Sequence, residues 1–475
     1  MLFNSVEFLL FLPIVFVLYW FVFNKKLKYQ NLLILVSSYL FYGWWDYRFL
    51  SLILLSTIVD YFIGLSISNQ ISLKNKRILL WCSVLFNLGV LGFFKYYNFF
   101  IDSWIDLFSS VGYDIKSVWT LNIILPVGIS FYTFQTMSYT IDIYKENLKP
   151  TKDFISFASF VSFFPQLVAG PIERASNLLP QILNKRVFKY EQGVQGLRLI
   201  LWGMFKKVVI ADSLAPMVND IFDNYQEFSG GTLLLGAIYF SFQIYCDFSG
   251  YSDIAIGTSK LFGFELMSNF KFPYFSRNIG EFWRRWHISL STWFRDYLYI
   301  PLGGSQKGKW KSIRNVFIIF VVSGFWHGAN WTFIIWGVYH AILFIPSFII
   351  KNNRKFLNSV IAEKTFIPSL KEFLQAATTF LLVTIGWVFF RSDSVSDALV
   401  YLNRMVYHFS IPNKYRSEII TILLFIIFEF IKKKDERFIF PYSNKQIINW
   451  GLYSYFLFKV FSNFNSQAEF IYFRF

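Results

Sequence analysis

The chain contains little cysteine and little charge, and both shortages limit what it can be. Its 475 residues include two cysteines, Cys82 and Cys246, too few for a disulfide framework and without metal-ligand spacing, so we predict no metal site. Only 16% of the residues are charged, which excludes an ordinary solvated globular surface. The first apolar run, 8–23, has no basic stretch before it and no small-residue cleavage site. It indicates a first membrane span rather than a secretory signal.

What the chain does contain is apolar. Hydrophobic residues make up 55% of it and aromatic residues 22%, and the mean hydropathy is +0.43. Apolar runs recur from one end to the other, which indicates an all-α, polytopic membrane protein with about 11 transmembrane helices and no separate soluble domain. The runs predict spans at about 6–23, 29–42, 49–68, 78–100, 119–142, 193–215, 231–263, 315–350, 372–391, 416–431 and 446–462. We expect one membrane domain over residues 1–475.

Several of these runs carry helix-breaking residues. The 231–263 run is interrupted at 246–250 and predicts a kinked helix or two half-helices. The 315–350 run is interrupted at 323–324 and again at 328–330. The 154–171 run, with its prolines and Gly170, predicts a re-entrant segment. Irregular backbone at membrane depth is tolerated only where it lines a cavity or is buried in protein, so we expect one of these surroundings for each break.

The formal net charge is +16, which in a soluble chain would suggest nucleic-acid binding. Here the lysines and arginines cluster in loops between apolar runs, for example at 307–314 and 432–437, as expected for cytoplasmic loops facing an anionic leaflet. The acidic loop 219–227 is predicted to face outward. We therefore expect a lipid bilayer, and not nucleic acid, as the partner of these charges.

The stretch from Glu281 to His340 holds three of the chain's four histidines. Polar side chains at membrane depth are costly and usually mark a site. His327 and Asn330 lie in a glycine-containing apolar run, and a neutral imidazole beside a polar group is suited to moving a proton. For a lone buried histidine, hydrogen bonding within the core is the usual alternative. His340 is predicted to point away from His327 and to pack, and His408 carries no signal.

Eight segments of the chain, taken together and in this order, resemble the membrane-bound O-acyltransferase family, in particular its bacterial branch that acetylates alginate and peptidoglycan. The segments are MLFNSVEFLLFLP, YGWWDYRFL (42–50), LPVGISFYTFQTMSYTIDIY (125–144), FFPQLVAGPIER (163–174), FKKVVIAD (205–212), YCDFSGYSDIAIG (245–257), FWRRWHISLSTWFRDYLYIPLGG and SGFWHGANWTFIIWG. The resemblance implies that the interrupted apolar runs surround a central tunnel, with catalysis at His327. It also implies that a second histidine, His287, faces the same tunnel, although an amphipathic segment at the membrane interface would explain His287 as well.

The resemblance further implies acyl transfer across the membrane from acetyl-CoA, with no permanently bound cofactor. His327 would act as general base, and Asn330 or nearby amides would stabilise the oxyanion. Arg284, Arg285 and Arg295 would hold the phosphates of the donor.

The implied product is an O-acetylated envelope polysaccharide, reached through a separate periplasmic or surface partner that resembles an SGNH esterase. The implied location is the bacterial cytoplasmic (inner) membrane. Two other classes stay open: a secondary transporter or channel for a polar solute, which broken helices and buried acids would also suit, and a non-catalytic scaffold.

The tail at 469–475 is apolar and aromatic where loose polar tails are usual. It is predicted to lie at the outer face. By resemblance, Tyr472 is a candidate acyl acceptor, and an interfacial aromatic anchor is the alternative. For Asp60, Asp247 and Asp253 we favour a structural role, namely pairing with buried cations, over a role in the tunnel.

The charge pattern of the loops predicts the membrane topology. Single cysteines introduced near Lys307 and Lys432 should react with an impermeant thiol reagent only from the cytoplasm, and one near Asn224 only from outside, because basic loops are retained inside. The measurement is labelling in intact cells and in inverted vesicles. Labelling of the Asn224 and Lys432 positions from the same side would contradict the topology.

Overall fold

The computed structural model describes residues 1–113, 120–168, 170–357, 359–412, 414–437, 446–464, 468 and 470–471. Within these ranges the chain forms helices and no strands, which confirms the all-α prediction. The α-helices are α1 Val6–Val17, α2 Leu27–Asp46, α3 Leu50–Asn69, α4 Leu73–Leu91, α5 Tyr97–Ser110, α6 Ile129–Tyr144, α7 Phe154–Val161, α8 Phe164–Leu167, α9 Ala175–Leu183, α10 Tyr190–Met204, α11 Asp212–Asp223, α12 Gly230–Leu261, α13 Ile279–Arg285, α14 Ile288–Phe294, α15 Lys309–His327, α16 Trp331–Ile349, α17 Leu370–Arg391, α18 Val395–Tyr407, α19 Glu418–Lys432 and α20 Gln446–Ser462. Short π-helical turns occur at Leu18–Val22, Gly92–Tyr96, Phe205–Ala211 and Arg295–Tyr299, and 3₁₀ turns at Tyr47–Phe49, Pro273–Phe275 and Asn352–Arg354.

The chain divides into two compact units. The first comprises Met1–Lys189 together with Leu261–Leu266, and the second comprises Tyr190–Lys260 together with Met267–Phe475. The first unit therefore contains α1 to α9, and the second contains α10 to α20. The expectation of one membrane domain over 1–475 stays a prediction.

Four helical stretches of the described residues are long and apolar enough to cross a membrane, namely Leu27–Asn69, Leu73–Ser110, Trp331–Ile349 and Leu370–Arg391. Their leucine and isoleucine side chains remain largely exposed at many positions, as at Leu40 and Leu381. Exposed apolar side chains in such number suit contact with lipid rather than water. The predicted membrane character is supported, whereas the count of about 11 spans stays a prediction.

The structure corrects two of the expected helix breaks. The 231–263 run is one uninterrupted helix, α12, of 32 residues. The 315–350 run does break at 328–330, between α15 and α16, but Gly324 lies within α15. A β-carbon at Gly324 would lie 2.2 Å from the carbonyl oxygen of Phe333, so this glycine allows two helices to pack rather than ending one. The 154–171 run forms two short helices, α7 and α8, and its re-entrant course stays a prediction.

Close packing of α10 against α12 organises the second unit. A β-carbon at Gly203 would lie 2.5 Å from the carbonyl oxygen of Gly250, and one at Gly196 would lie 2.6 Å from that of Gly257. Each of these glycine pairs has one member on α10 and one on α12, and the two pairs lie seven residues apart along each helix. They thus bring the two backbones into contact. Gly250 was expected to break α12, but its lack of a side chain serves this contact instead.

Two consecutive lysines follow α10 in the π-helical turn Phe205–Ala211, and both are buried. The Lys206 ammonium lies 2.7 Å from Asp253, and that of Lys207 lies 2.9 Å from Asp247. Burying an unpaired charge is expensive, so each lysine is held by its carboxylate. The expected structural role of these two aspartates, pairing with buried cations, is confirmed.

A buried polar network joins three helices of the first unit. The carboxylate of Asp60 on α3 accepts hydrogen bonds from Ser83 Oγ at 2.6 Å and from Asn87 Nδ2 at 2.8 Å, both on α4. Asn87 Oδ1 accepts from Thr136 Oγ1 on α6 at 3.1 Å. Asp60 therefore meets hydroxyl and amide donors rather than the cation expected from the sequence. In an apolar interior such a network fixes the register of the helices it joins.

Replacing Asp60 with alanine should lower the free energy of unfolding by about 1–3 kcal/mol for each donor left unpaired on α4. The measurement is unfolding of the purified protein in detergent micelles. Asp102→Ala, at an exposed position of α5, is the matched control and should change stability by less than about 0.5 kcal/mol. Equal stabilities of the two variants would contradict a structural role for the network.

Candidate functional site

His287 lies at the corner between two short helices. Asn278 caps α13 by accepting a hydrogen bond from the Glu281 N–H at 2.8 Å, and α13 ends at Arg285. His287 then takes left-handed backbone angles, with φ 43° and ψ 55°, before α14 begins. A non-glycine residue with positive φ is uncommon and persists only where its surroundings hold it. The corner buries the imidazole completely.

Asn269 holds the corner between α13 and α14 in place. Its main-chain carbonyl accepts from the Ile288 N–H at 2.9 Å, and its side-chain Oδ1 accepts from Ser289 Oγ at 2.8 Å. His287 Nδ1 lies 3.2 Å from the same oxygen. A carbonyl oxygen only accepts, so Nδ1 carries the proton and Nε2 presents its lone pair. Burial lowers the pKa of His287 to about 3, because the imidazolium loses its hydration, so the ring is neutral at physiological pH.

Asn269 was missed by the sequence reasoning. It stands in an irregular stretch, 18 residues before His287, without periodicity or a motif that would single it out. Its own orientation is set by Ser252 on α12, whose Oγ accepts from Asn269 Nδ2 at 3.2 Å. The orientation of the His287 ring thus depends on Asn269 and, through it, on Ser252 of α12, which is still further away in sequence.

His327 is the last residue of α15, at the tip of a helical hairpin formed with α16. The two helices approach closely at glycines, since a β-carbon at Gly337 would lie 2.4 Å from the carbonyl oxygen of Phe320. Asn330 begins α16 by accepting from the Thr332 N–H at 2.9 Å, and its Nδ2 donates to the Asp393 carbonyl at 3.0 Å. The observed role of Asn330 is therefore to order the tip.

His287 and His327 come together, with ring centroids 6.4 Å apart. Aromatic side chains surround them. Trp326 lies 5.9 Å from the His287 ring, Trp336 lies 5.2 Å from the His327 ring, and Phe248 of α12 lies 4.7 Å from the His287 ring. An apolar surrounding strengthens any hydrogen bond made to a reacting group.

The other two histidines are placed differently. His340, fully buried on α16, packs against Trp336 at 4.9 Å and Trp283 at 5.0 Å. Trp336 thus separates the His340 ring from that of His327, in agreement with the predicted packing role. His408 follows α18 in an exposed position.

Both site histidines line one cavity of about 270 Å³. Most of the wall is apolar, and the residues that line it include Leu290, Phe294, Ile319, Phe320 and Phe344. Asn330 is not among the wall residues. A second, more polar crevice of about 530 Å³ shares Trp283, Ser291 and Arg295 with the first cavity, so the two adjoin.

The arginines expected at the donor site all line the crevice: Arg284, Arg285 and Arg295. Lys271, Lys433 and Lys434 lie there as well, and Glu436 is an acidic residue of the same lining. Each arginine also has protein partners. Arg285 donates to Glu281 at 2.8 Å, Arg295 to Asp296 at 2.6 Å, and Arg284 to the main-chain carbonyl of Phe356 at 3.3 Å. The crevice remains strongly cationic and is suited to an anionic group.

Tyr472 lies outside the described residues, so its predicted role as acyl acceptor stays a prediction. Among the residues that the structure describes, no group of three or more His, Cys, Asp or Glu side chains could hold a metal ion.

Comparison with known proteins adds to this geometry. The family model described as MBOAT, membrane-bound O-acyltransferase family, matches residues 90–361, more than half of the chain. A probable alginate O-acetylase from Azotobacter vinelandii is 42% identical over 400 residues, covering 84% of this chain and 76% of the relative. A peptidoglycan O-acetyltransferase from Helicobacter pylori is 37% identical over 435 residues, covering 86% and 80%. A teichoic acid D-alanyltransferase from Bacillus subtilis is 30% identical over 287 residues, covering 57% and 69%.

The matched segment includes α13 to α16 and hence both histidines of the cavity, the crevice arginines and the hairpin tip. A helical, lipid-suited chain with paired imidazoles in an apolar cavity agrees with this similarity. The chain belongs to the membrane-bound O-acyltransferase family.

Proposed function

We propose that this protein transfers an acetyl group from cytosolic acetyl-CoA across the bacterial cytoplasmic membrane, for O-acetylation of an envelope polysaccharide such as peptidoglycan or alginate. The observation that carries the proposal is the single cavity lined by His287 and His327 beside a cationic crevice. Family membership makes the reaction class acyl transfer rather than solute transport. The named activities of the bacterial relatives support acetyl as the group and a glycan as its destination.

The reaction exchanges a carbon–sulfur bond for a carbon–oxygen bond. His327 takes the proton of an acceptor hydroxyl while the oxygen attacks the thioester carbonyl, because a neutral hydroxyl is a poor nucleophile. The tetrahedral intermediate then expels the thiolate, which takes the proton from the imidazolium. Only one ring can accept the single hydroxyl proton, and His327 is assigned that role. His287 is fixed by Asn269 and lines the same cavity, with its ring 6.4 Å from that of His327, so it is placed to hold the bound groups in position by contact.

Asn330 enters this proposal with a limited role. Its bonds to Thr332 and Asp393 occupy its carbonyl oxygen and one amide hydrogen, which leaves one hydrogen for an oxyanion. Since Asn330 does not line the cavity, its main contribution is to hold the turn that follows His327.

The donor would bind across both cavities. Its diphosphate suits the crevice of Arg284, Arg285 and Arg295, and its flexible thioester arm suits the narrower apolar cavity that leads to the histidines. The arginines already have protein partners, which orders their side chains and lowers the entropic cost of binding an anion. The same arrangement accommodates another acyl thioester of coenzyme A.

The acceptor side involves the tail and a partner. Tyr472 would accept the acetyl group as a phenyl ester and pass it to a separate periplasmic or surface acetyltransferase that resembles an SGNH esterase. That partner would recognise the polysaccharide. A phenyl ester is a good acetyl donor, because phenolate, with a pKa of about 10, is a better leaving group than an alkoxide.

Replacing His327 with alanine should reduce polysaccharide acetylation by about 10²–10⁴-fold without loss of the protein from the membrane, because the general base is removed. His327→Gln, which retains size and polarity, should fail equally. The measurement is acetyl transfer from labelled acetyl-CoA in membranes, alongside the acetyl content of the envelope. His408→Ala, at the exposed histidine outside the cavity, is the matched control. Normal transfer by His327→Ala would overturn the assignment.

Tyr472→Phe removes one oxygen atom and should abolish polysaccharide acetylation while expression stays normal. Labelled acetyl-CoA should place label on a C-terminal peptide of the parent protein and not of the variant, since the phenol is the proposed acceptor. Tyr407→Phe, at an exposed tyrosine of α18, serves as the control. If Tyr472→Phe acetylates at the parent rate, the acetyl group passes directly to the partner and the tail is an anchor.

A further inference from the structure

Among the residues that the structure describes, one lysine and two aspartates form a buried cluster at the junction of α10, α11 and α12. Lys207 Nζ lies 2.7 Å from Asp212 Oδ1 and 2.9 Å from Asp247 Oδ1, and all three side chains are at most 3% exposed. One ammonium therefore faces two carboxylates. Because isolated buried charge is costly, such a cluster requires further donors close by.

The C-terminal segment contributes such a donor. The main-chain N–H of Ile471 donates to Asp247 Oδ2 at 2.8 Å, and Lys207 Nζ donates to the main-chain carbonyl of Ala468 at 3.1 Å. Phe470 and Ile471 are buried, although Ile471 lies 224 positions from Asp247 in sequence. The cluster thus holds the segment by two charge-assisted bonds, one at each end of residues 468–471.

The segment also approaches the histidine cavity. The Phe470 ring packs on Tyr251 at 4.2 Å and lies 6.3 Å from Phe248. Phe248 in turn lies 4.7 Å from the His287 ring. A single aromatic side chain therefore separates the docked segment from the site histidine.

A neighbouring ion pair provides a comparison. Lys206 and Asp253 lie on the same two elements, 2.7 Å apart, and Lys206 Nζ donates to Ser249 at 2.9 Å. None of their hydrogen bonds or ion pairs that the structure records involves residues 468–471. If buried pairs here served only to join α10 to α12, Lys206–Asp253 and Lys207–Asp247 would be equivalent, and only the second pair binds the segment.

We propose that Lys207 and Asp247 form a receptor for the main chain of residues 468–471, and that they act as positioning residues which dock the C-terminal segment beside the histidine cavity. The proposal rests on the proposed function only for its consequence, that docking brings the tail to the site of acyl transfer. Both contacts use main-chain atoms of the segment, so the receptor recognises the position of its backbone rather than its side chains. Loss of the main-chain donor of the segment should therefore weaken its docking more than a change of side chain does.

The test measures release of the tail directly. A cysteine is introduced at the half-buried position 468 as Ala468→Cys in a Cys82→Ser background, which leaves the main-chain carbonyl at position 468 unchanged. The full-length protein in nanodiscs is then treated with a maleimide, and labelling is followed with time. The same protein without Ala468→Cys corrects for labelling of Cys246.

Ile471→Pro removes the N–H that Asp247 binds and leaves the cluster itself intact, whereas Ile471→Ala keeps the N–H. We expect labelling to accelerate by at least about tenfold in Ile471→Pro, and similarly in Lys207→Met and Asp247→Ala, because a charge-assisted bond is lost. Ile471→Ala and Asp253→Asn should label at the parent rate. Unchanged unfolding temperatures would show that the helices remain packed.

Acetyl transfer measured on the same variants separates the two proposals. Faster labelling together with a lower kcat at unchanged KM for acetyl-CoA supports docking as a step towards transfer. Faster labelling at the parent kcat supports the receptor and counts against the tail in the proposed function. Equal labelling of Ile471→Pro and Ile471→Ala overturns the receptor, whatever the activity.

Discussion

A buried charge must be paired or hydrogen-bonded, and the second unit is arranged around this requirement. Glycine pairs bring α10 and α12 into contact, and the contact is close enough for Lys206 and Lys207 to reach the carboxylates of α12. On the continuous helix α12, Phe248 reaches the His287 ring and Ser252 reaches Asn269. The geometry of the histidine corner is thus a consequence of electrostatic pairing on the helix behind it.

The two site histidines are supplied by independent parts of the chain, a left-handed corner and a hairpin tip. Rings such as Trp326 and Trp336 pack around them, so a reacting oxygen in the cavity would make its hydrogen bonds in a mostly apolar surrounding. Such preorganisation, in which the cost of orienting the groups is met during folding, is what the proposed acyl transfer would use. The neighbouring crevice differs in character, because arginine and lysine side chains form much of its lining.

Much of the local structure could be predicted from the sequence, because glycine and asparagine signals act locally. The break at 328–330 and the pairing of Asp247 and Asp253 with buried cations agree with the prediction, and both histidines line one cavity as the resemblance suggested. The continuity of α12 could not be predicted, since Gly250 breaks a helix or serves a helix contact depending on a partner over 40 residues away. The role of Asn269 and the donors around Asp60 could not be predicted from the sequence either, because both depend on tertiary contacts.

The π-helical turn at Phe205–Ala211 determines how α11, which follows it, is rotated about its axis. Lys207 and Asp212 are five residues apart, and on an α-helix they would point about 140° away from each other. The π turn, in which the Asp212 N–H bonds to the Lys207 carbonyl, places them on one face within 2.7 Å. Deleting one residue between them would regularise the helix and rotate α11 by about 100°. The π turn therefore sets the direction in which the side chains of α11 point. Residues 205–211 should tolerate substitutions far better than insertions or deletions.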